Sequence, residues 1–470
     1  VLLFAGMGLW AGEPPFSLSA MGGFPLEGTV SELKALHDIH GGVFVIFIAD
    51  GRLGIYHGDK QGNFEPYQAE GLEEEELGEV RLLRLLDRGP RHFAAFISRT
   101  GGAETVYLLS LDHQGGLRAY PARETRSAER IADYALAYGA EGAALYLLSG
   151  GVLSGITGIN GPWELPVKRR VSGEGERVAA FGFSENLSGK FGCGWYRAAG
   201  REGPEWSLFS SANHALFYRK KLGIYGPDAR IGITAAADRI VFTVIDGKKA
   251  AVFEGSAEGF TAAAAFEAPV PVSGYYAAEN NGGLGILTGG ERGGAVYGVS
   301  GGTSAAPRFQ RYFTVPDGLP VELADVSINA VSINTVSRDT DGSGGREFAA
   351  LYQKEGRWRS VLLDADRGAG EETILPGIAE GAVKLPGRGG ADRQGRLLYF
   401  ISVPENAGQA EFIMLNFERD RWGAAQRLTL PGGTGKPDIS AWTQKINGLL
   451  FLALHDGRRV LVCRMEGGAV

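Results

Sequence analysis

The sequence predicts an all-β chain wound as a β-propeller of four-stranded antiparallel blades, about eight in number, and two observations carry that expectation. Glycine supplies 73 of the 470 residues, about 16% against a usual ~7%, while apolar residues stay at 44%. A chain rich in turns yet hydrophobic enough to bury a core is one of many short strands. In addition, an apolar run, a glycine-bearing turn and a second apolar run recur along the whole chain. The turn glycines stand at 51, 102, 151, 203, 247, 294, 356, 408 and 457, spaced 44 to 62 residues apart. A period near fifty marks a repeat architecture. It is half the roughly 90–100 residues of an immunoglobulin-like sandwich, and the helical periodicity of a HEAT or TPR solenoid is missing.

The units follow in chain order. Residues 43–49 and 53–56 flank Asp50-Gly51; 93–97 and 105–109 flank Gly101-Gly102; 144–148 and 152–153 flank Gly150-Gly151. After a weak copy around Gly203, 240–245 and 250–253 flank Asp246-Gly247; a second weak copy surrounds Gly294. Then 348–352 precede Glu355-Gly356 and 358–363, 397–401 precede 412–415, and 449–454 precede Asp456-Gly457 and 460–463. Runs rich in β-branched and aromatic residues joined by Asp-Gly or Gly-Gly are hairpins. Each unit has room for a strand before the hairpin, as at 131–136 or 327–333, and one after it, as at 64–67 or 427–430. Residues 31–37 fit an entering strand as well as one helical turn. Nine hairpins are counted. The last lacks a fourth strand, which residues 16–19 would supply beside 459–463, closing the ring with strands from both termini.

Forty-seven basic and 54 acidic side chains leave a net charge of −7, so nucleic acid, which requires a basic field, is not an expected partner. The basic runs 168–170 and 219–221 read as solvated strand ends. Cys193 and Cys463 both sit in apolar runs and read as two buried thiols, with a single bridge left open. Residues 1–12 are apolar and uncharged ahead of Glu13-Pro14-Pro15, the shape of the end of a secretory apolar region. On that reading 1–12 is a signal-peptide remnant, 13–470 is one propeller domain, and the location is periplasmic or extracellular; the alternative is a first strand in an intracellular scaffold. No stretch approaches the ~18 apolar residues of a spanning helix.

One loop carries a ligand-like pattern: Asp339-Thr-Asp341-Gly-Ser343-Gly-Gly345-Arg-Glu347. Oxygen-bearing side chains at alternate positions, with glycines that let the loop curl, suit a hard cation. The segment resembles the D-x-D-G-x-G-x-x-D/E calcium loop of FG-GAP (integrin-α-like) propeller repeats. That resemblance implies one calcium ion, with Asp339, Asp341, Ser343 and Glu347 as side-chain ligands and Gly345 as a carbonyl donor. Serine stands where that family usually has aspartate. A polar turn without metal is the alternative.

Catalytic patterns fail individually. The run Ser300-Gly-Gly-Thr-Ser-Ala-Ala-Pro307 is one residue short of the subtilisin serine motif and lacks its base and acid. Gly432 to Pro437 has Leu430 where a phosphate loop needs glycine and Pro437 where it needs a hydroxyl. Gly192 and Gly194 lie inside a strand with no helix following. His37 and His40 have metal spacing only on a helix, and His57, His113 and His455, near hairpin turns, are expected exposed. Glu73 to Glu76 read as a solvated acidic loop, and the sialidase Asp-box does not occur. The expected function is therefore that of a non-catalytic, exported or envelope-associated propeller binding a protein or glycan partner. The alternative is a carbohydrate-active hydrolase or lyase whose two carboxylates, at about 5–5.5 or 6.5–9.5 Å, come from different blades.

Overall fold

The computed structural model describes residues 16–38, 40–73, 77–87, 92–111, 114–125, 130–139, 142–159, 167–186, 191–212, 216–226, 228–235, 239–267, 274–277, 284–288, 295–300, 308–314, 321–325, 347–364, 368–384, 397–402, 411–418, 421–423, 426–429, 442–446, 449–455 and 459–467. Every regular element among them is a strand, and the strands form nine antiparallel sheets. Numbered along the chain, blade 1 spans 30–66, blade 2 79–125, blade 3 131–170, blade 4 178–224, blade 5 230–267, blade 6 274–314, blade 7 321–374, blade 8 383–429, and blade 9 442–467 together with 16–25. Both weak hairpins, around Gly203 and Gly294, belong to four-stranded sheets, so all nine units counted in the sequence are sheets among the described residues.

The local chemistry explains each hairpin. Asp50-Gly51 (φ 47° and 74°), Gly101-Gly102 (59° and 89°), Gly150-Gly151 (56° and 77°) and Glu355-Gly356 (53° and 73°) are two-residue turns with both residues left-handed. That conformation matches the twist of the flanking strands, and glycine adopts it without a Cβ penalty. The second strand of blade 1 is covered on both faces, which is why it reads as an unbroken apolar run. All seven residues of Val43–Ala49 are buried, because neighbouring sheets pack on either side.

Successive blades share apolar seams. Ile46 and Ile48 of blade 1 meet Ala94 and Phe96 of blade 2; Ala95 and Ile97 meet Leu145 and Leu147 of blade 3; Tyr146 and Leu148 meet Tyr196 and Phe209 of blade 4. Cys193 and Leu208 then meet Phe242 and Val244 of blade 5. Leu351 of blade 7 joins Ile413 and Leu415 of blade 8, and Val460 and Val462 of blade 9 join Val43 and Val45 of blade 1. First strands of neighbouring blades approach one another from blade 1 to blade 5, and Trp442–Ile446 of blade 9 lies beside Val30–His37 of blade 1. First strands therefore line the axis. The chain is a β-propeller.

Polar groups reinforce the seams at one end of the hairpins. The turn carbonyls of Gly51, Gly151 and Gly356 accept the N–H of Val80, Val178 and Gly381 at 2.7, 2.7 and 3.1 Å, each at the start of the following blade. The turn side chains of Asp50, Thr100 and Asp246 accept the N–H of Thr29, Gly78 and Gly226 at 3.1, 3.1 and 2.9 Å, each just before its own blade. Asp at the turn thus fixes both the hairpin and the incoming chain.

The termini close the ring, in a register different from the sequence expectation. Phe16–Pro25 pairs with Arg459–Gly467, but Phe16 to Ser19 lie opposite Gly467 to Arg464, and it is Ala20 to Pro25 that lie opposite Cys463 to Arg459. The ten-residue strand is longer than a four-residue reading allowed, and this sets the offset. Residues 31–37 are strand, not a helical turn. The first strand of blade 7 is Val321–Asp325; the whole of the anticipated 327–333 strand, and its loop up to residue 346, lie outside the described residues. Arg219 to Lys221 sit in the middle of Leu216–Ile224 rather than at a strand end.

Candidate functional site

The axial wall of blades 1 to 3 brings together the charges with most functional potential. Blade 2 enters on Glu79–Asp87, whose pairing with His92–Thr100 breaks between Arg81 and Arg84. Leu82 in this bulge has φ 54°, a left-handed conformation costly for a branched side chain. The break lets two arginines three positions apart reach the same neighbouring strand. Arg81 Nη2 donates to the Ile131 carbonyl of blade 3, and Arg84 Nη2 lies 3.0 Å from Asp133 Oδ1. The single O–H of Tyr134 lies between the carbonyls of Leu82 and Ala95, either of which can accept it, and this holds the bulge in place. Burial pushes that hydroxyl well above its ordinary pKa. On the other side, blade 1 contributes Glu32 and Lys34. Burial pulls the Lys34 ammonium below its ordinary value; Glu32 opposes the shift and Arg84 adds to it. The row Glu32, Lys34, Arg84, Asp133 therefore sets two cations between two carboxylates across three blades, and Arg84 and Asp133 remain 48% and 37% exposed. Such a row can recognise polar or charged groups, while a guanidinium held by a carboxylate is a poor acid or base.

Glu104 anchors this wall from behind. It is 2% exposed, accepts from Arg81 at 3.0 Å on both oxygens, accepts the Ile131 N–H at 2.6 Å, and has Arg130 at 3.8 Å.

A second pairing resembles catalytic machinery and is a fastening. Asp38 is buried between the first and second strands of blade 1; its Oδ1 accepts the N–H of His40 and Gly42, each at 2.7 Å, and His57 Nε2–H donates to its Oδ2 at 2.6 Å. Burial raises the Asp38 carboxyl, but the His57 and backbone donors outweigh it and leave the pKa below the ordinary value. The His57 ring packs on Phe44 and Tyr67, with centroids 4.5 and 6.0 Å away. The expectation of exposed turn histidines is corrected accordingly: His57 is about two-thirds buried and His455 is buried, 5% exposed. Asp38, 19 residues before its partner, carried no sequence signal.

A third cluster lies between blades 3 and 4. Glu176 Oε2 accepts from the Gly173 N–H at 2.5 Å and from the Tyr196 hydroxyl at 2.8 Å. Arg219 and Lys221 stand 3.6 and 3.5 Å from Glu176, and Lys221 reaches Glu205 at 3.2 Å. Burial raises the Glu176 carboxyl, yet these donors and cations bring it below its ordinary value. This pair of carboxylates is bridged by a lysine rather than placed across a scissile bond.

Of the calcium-loop residues, Asp339, Asp341, Ser343 and Gly345 lie outside the described residues, and Glu347 opens the strand Glu347–Lys354 opposite Asp364. No group of three or more metal-binding side chains occurs among the described residues. His113, most of the serine-motif run and Gly432 to Pro437 also lie outside them. Cys193 and Cys463 are buried free thiols. No helix among the described residues is long and apolar enough to cross a membrane.

No protein-family model matches the chain, and no curated protein sequence does. Among solved structures it is similar to the WD40 domain of SCAP from fission yeast, at 7% identity and a TM-score of 0.33 over 97% of this chain and 99% of that one. It is also similar to the Dos1 propeller, at 11% identity and a TM-score of 0.43 over 82% of this chain and 94% of that one.

Proposed function

We propose that this chain is a non-catalytic binding propeller that engages a protein or glycan partner at the axial wall of blades 1 to 3. The half-exposed Arg84–Asp133 pair, flanked by Lys34 and Glu32, carries the reading. It offers both signs of charge on a rigid scaffold, the pattern that gives selectivity and orientation in recognition. The bulge that aims Arg84 is held by a buried tyrosine, so the arrangement is preorganised. Export rests on the apolar character of residues 1–12, and the net charge of −7 supports a partner other than nucleic acid. Photo-crosslinking from position 132, exposed beside Asp133, followed by mass spectrometry of the adduct and glycan-array binding, tests the site. Capture lost in Arg84→Glu with an unchanged melting curve supports it, whereas release of reducing sugar from a polysaccharide panel would favour the hydrolase alternative. A structural calcium in the loop from Asp339 to Glu347 is part of the same proposal. Calorimetric titration of calcium into chelated protein should give saturable heat, and none at millimolar calcium leaves a polar turn.

A further inference from the structure

We propose that the cleft between the hairpin turn of blade 1 and the start of blade 2 binds a short extended polypeptide segment of a partner, one that carries a basic side chain beside an apolar one. The observation behind it is a gap in the fourth strand of blade 1. That strand, Phe64–Pro66, covers only Tyr56 to Gly58 of its neighbour Arg52–Gly58. Just past it the Tyr67 N–H donates to the Ile55 carbonyl at 2.8 Å, and the chain then leaves this edge for blade 2. There the Glu70 N–H donates to the Leu117 carbonyl at 2.9 Å, and the Glu70 carbonyl accepts the Ala119 N–H at 2.7 Å. Leu53 is left with no strand opposite it on that side.

The main-chain groups of Leu53 face that gap. In the two-residue hairpin Ala49 and Arg52 form the hydrogen-bonded pair next to the turn, so the N–H and C=O of Leu53, opposite Ile48, point away from Val43–Ala49. The same position is filled in three other blades. Glu104 of blade 2 lies opposite Thr125. In blade 3 the Leu153 carbonyl accepts the Val171 and Ser172 N–H groups at 2.9 and 3.2 Å, and the Leu153 N–H donates to Ser172 Oγ at 3.4 Å. In blade 7 the Trp358 carbonyl accepts the Leu375 N–H at 2.9 Å. Among the described residues the outward donor and acceptor of Leu53 have no partner, and an added strand would complete them.

The space beside Leu53 selects the occupant. It is a cavity of about 530 Å³, which Leu53 lines together with Asp50, Arg52, Leu77 and Glu79. Leu53 and Leu77 pack on the seam between blades 1 and 2 and supply its apolar lining, while Asp50, Arg52 and Glu79 are exposed. A Cβ on Gly51 would lie 3.6 Å from Glu79 Cγ, so the stem of Glu79 stands against the turn. Arg99, opposite Glu79 in the sheet, makes no ion pair with it. Two carboxylates against one guanidinium favour a basic group over an acidic one. A nucleic acid would bring phosphates to those carboxylates, and a small cation would leave Leu53 unpaired. An extended peptide uses every feature: its main chain pairs with Leu53, an apolar side chain meets Leu53 and Leu77, and a basic one meets Asp50 and Glu79.

The test is fluorescence anisotropy of a labelled, end-capped hexapeptide of alternating Val and Lys with the intact chain. Saturable binding is expected, and a peptide of alternating Val and Glu should bind roughly tenfold more weakly or less well still. Methylating either the Val or the Lys main-chain nitrogens should weaken binding by about tenfold in one of the two cases, because only alternate residues of a strand face a given neighbour. Glu79→Lys should weaken it by about tenfold with an unchanged melting curve. Leu53→Pro, which removes the donor at an edge position where proline is tolerated, should abolish it; if that variant does not fold, Glu79→Lys and N-methylation decide. A photo-crosslinker on the peptide should mark residues 50–53 or 77–79. Absent saturation, indifference to both methylation patterns, an unaltered Glu79→Lys or an adduct on the axial wall instead would overturn the proposal. So would a concentration-dependent dimer abolished by Leu53→Pro, which would give the edge to a second copy of this chain.

Discussion

Glu104 shows how much one side chain can carry here. It is 2% exposed, and its two oxygens hold Arg81 and the first N–H of blade 3. Glu104→Ala strands a buried guanidinium and a backbone donor, so it should lower unfolding free energy by about 3–5 kcal/mol. Arg118→Ala, which opens the exposed 2.7 Å pair with Glu70, should change it by less than about 1 kcal/mol. Chemical denaturation of the two variants checks the contrast. Asp38 gives a pH signature. Its folded pKa lies below the ordinary 3.8, so its contribution is complete above that value and lost as pH falls through the lower folded one. The melting temperature should drop on acidification below the ordinary carboxylate range, and less steeply in Asp38→Asn; parallel acid limbs in the two proteins would refute this assignment.

At the scale of elements, turns were legible in the sequence and bulges were not. Asp50-Gly51 and Glu355-Gly356 announce themselves because a two-residue hairpin requires left-handed residues, and few residue types tolerate that. The break at Arg81/Arg84 depends on the partner strand and on a tyrosine 50 residues away, so no local pattern marks it. The axial charge row was hidden for the same reason: Arg84 and Asp133 are 49 residues apart and meet only through the ring. The basic run at 219–221 looked like a strand end because its ion-pair partners, Glu176 and Glu205, come from a preceding loop and strand. Glycines separate conformational from steric demands. Gly101, at φ 59°, has nothing within 4 Å of a Cβ, whereas Gly62, at φ 88°, has its Cβ position occupied by the Met21 carbonyl. Gly101→Ala should cost only the roughly 1–2 kcal/mol of the left-handed conformation, and Gly62→Ala distinctly more, readable as a larger loss in melting temperature.

At the scale of the whole molecule, the hairpin period predicted the ring and its closure, while the pairing offset needed the length of the terminal strand. Cys463 reports on that closure. It lies opposite Ala20 in the closing strand, and burial pushes its thiol up to about 12; Cys193, in blade 4, is an internal control. Deleting residues 16–25 should lower the melting temperature and make Cys463 react quickly with a maleimide while Cys193 stays protected. Equal labelling of both would mean that the whole ring, not one seam, had opened. The seam itself is drawn tight by Gly22, Gly23 and Gly62, whose Cβ positions fall on the carbonyls of Gly62, Val460 and Met21. Its geometry has a consequence in time. Residues 16–25 are synthesised before blades 1 to 8, and their partner, 459–467, after them. Closing so long a loop costs little more entropy than closing a shorter one, but it cannot begin until residue 467 has been made. While blades 1 to 8 are being synthesised the strand 16–25 is thus an unpaired edge, and the ring is completed in a single late step at the glycine seam.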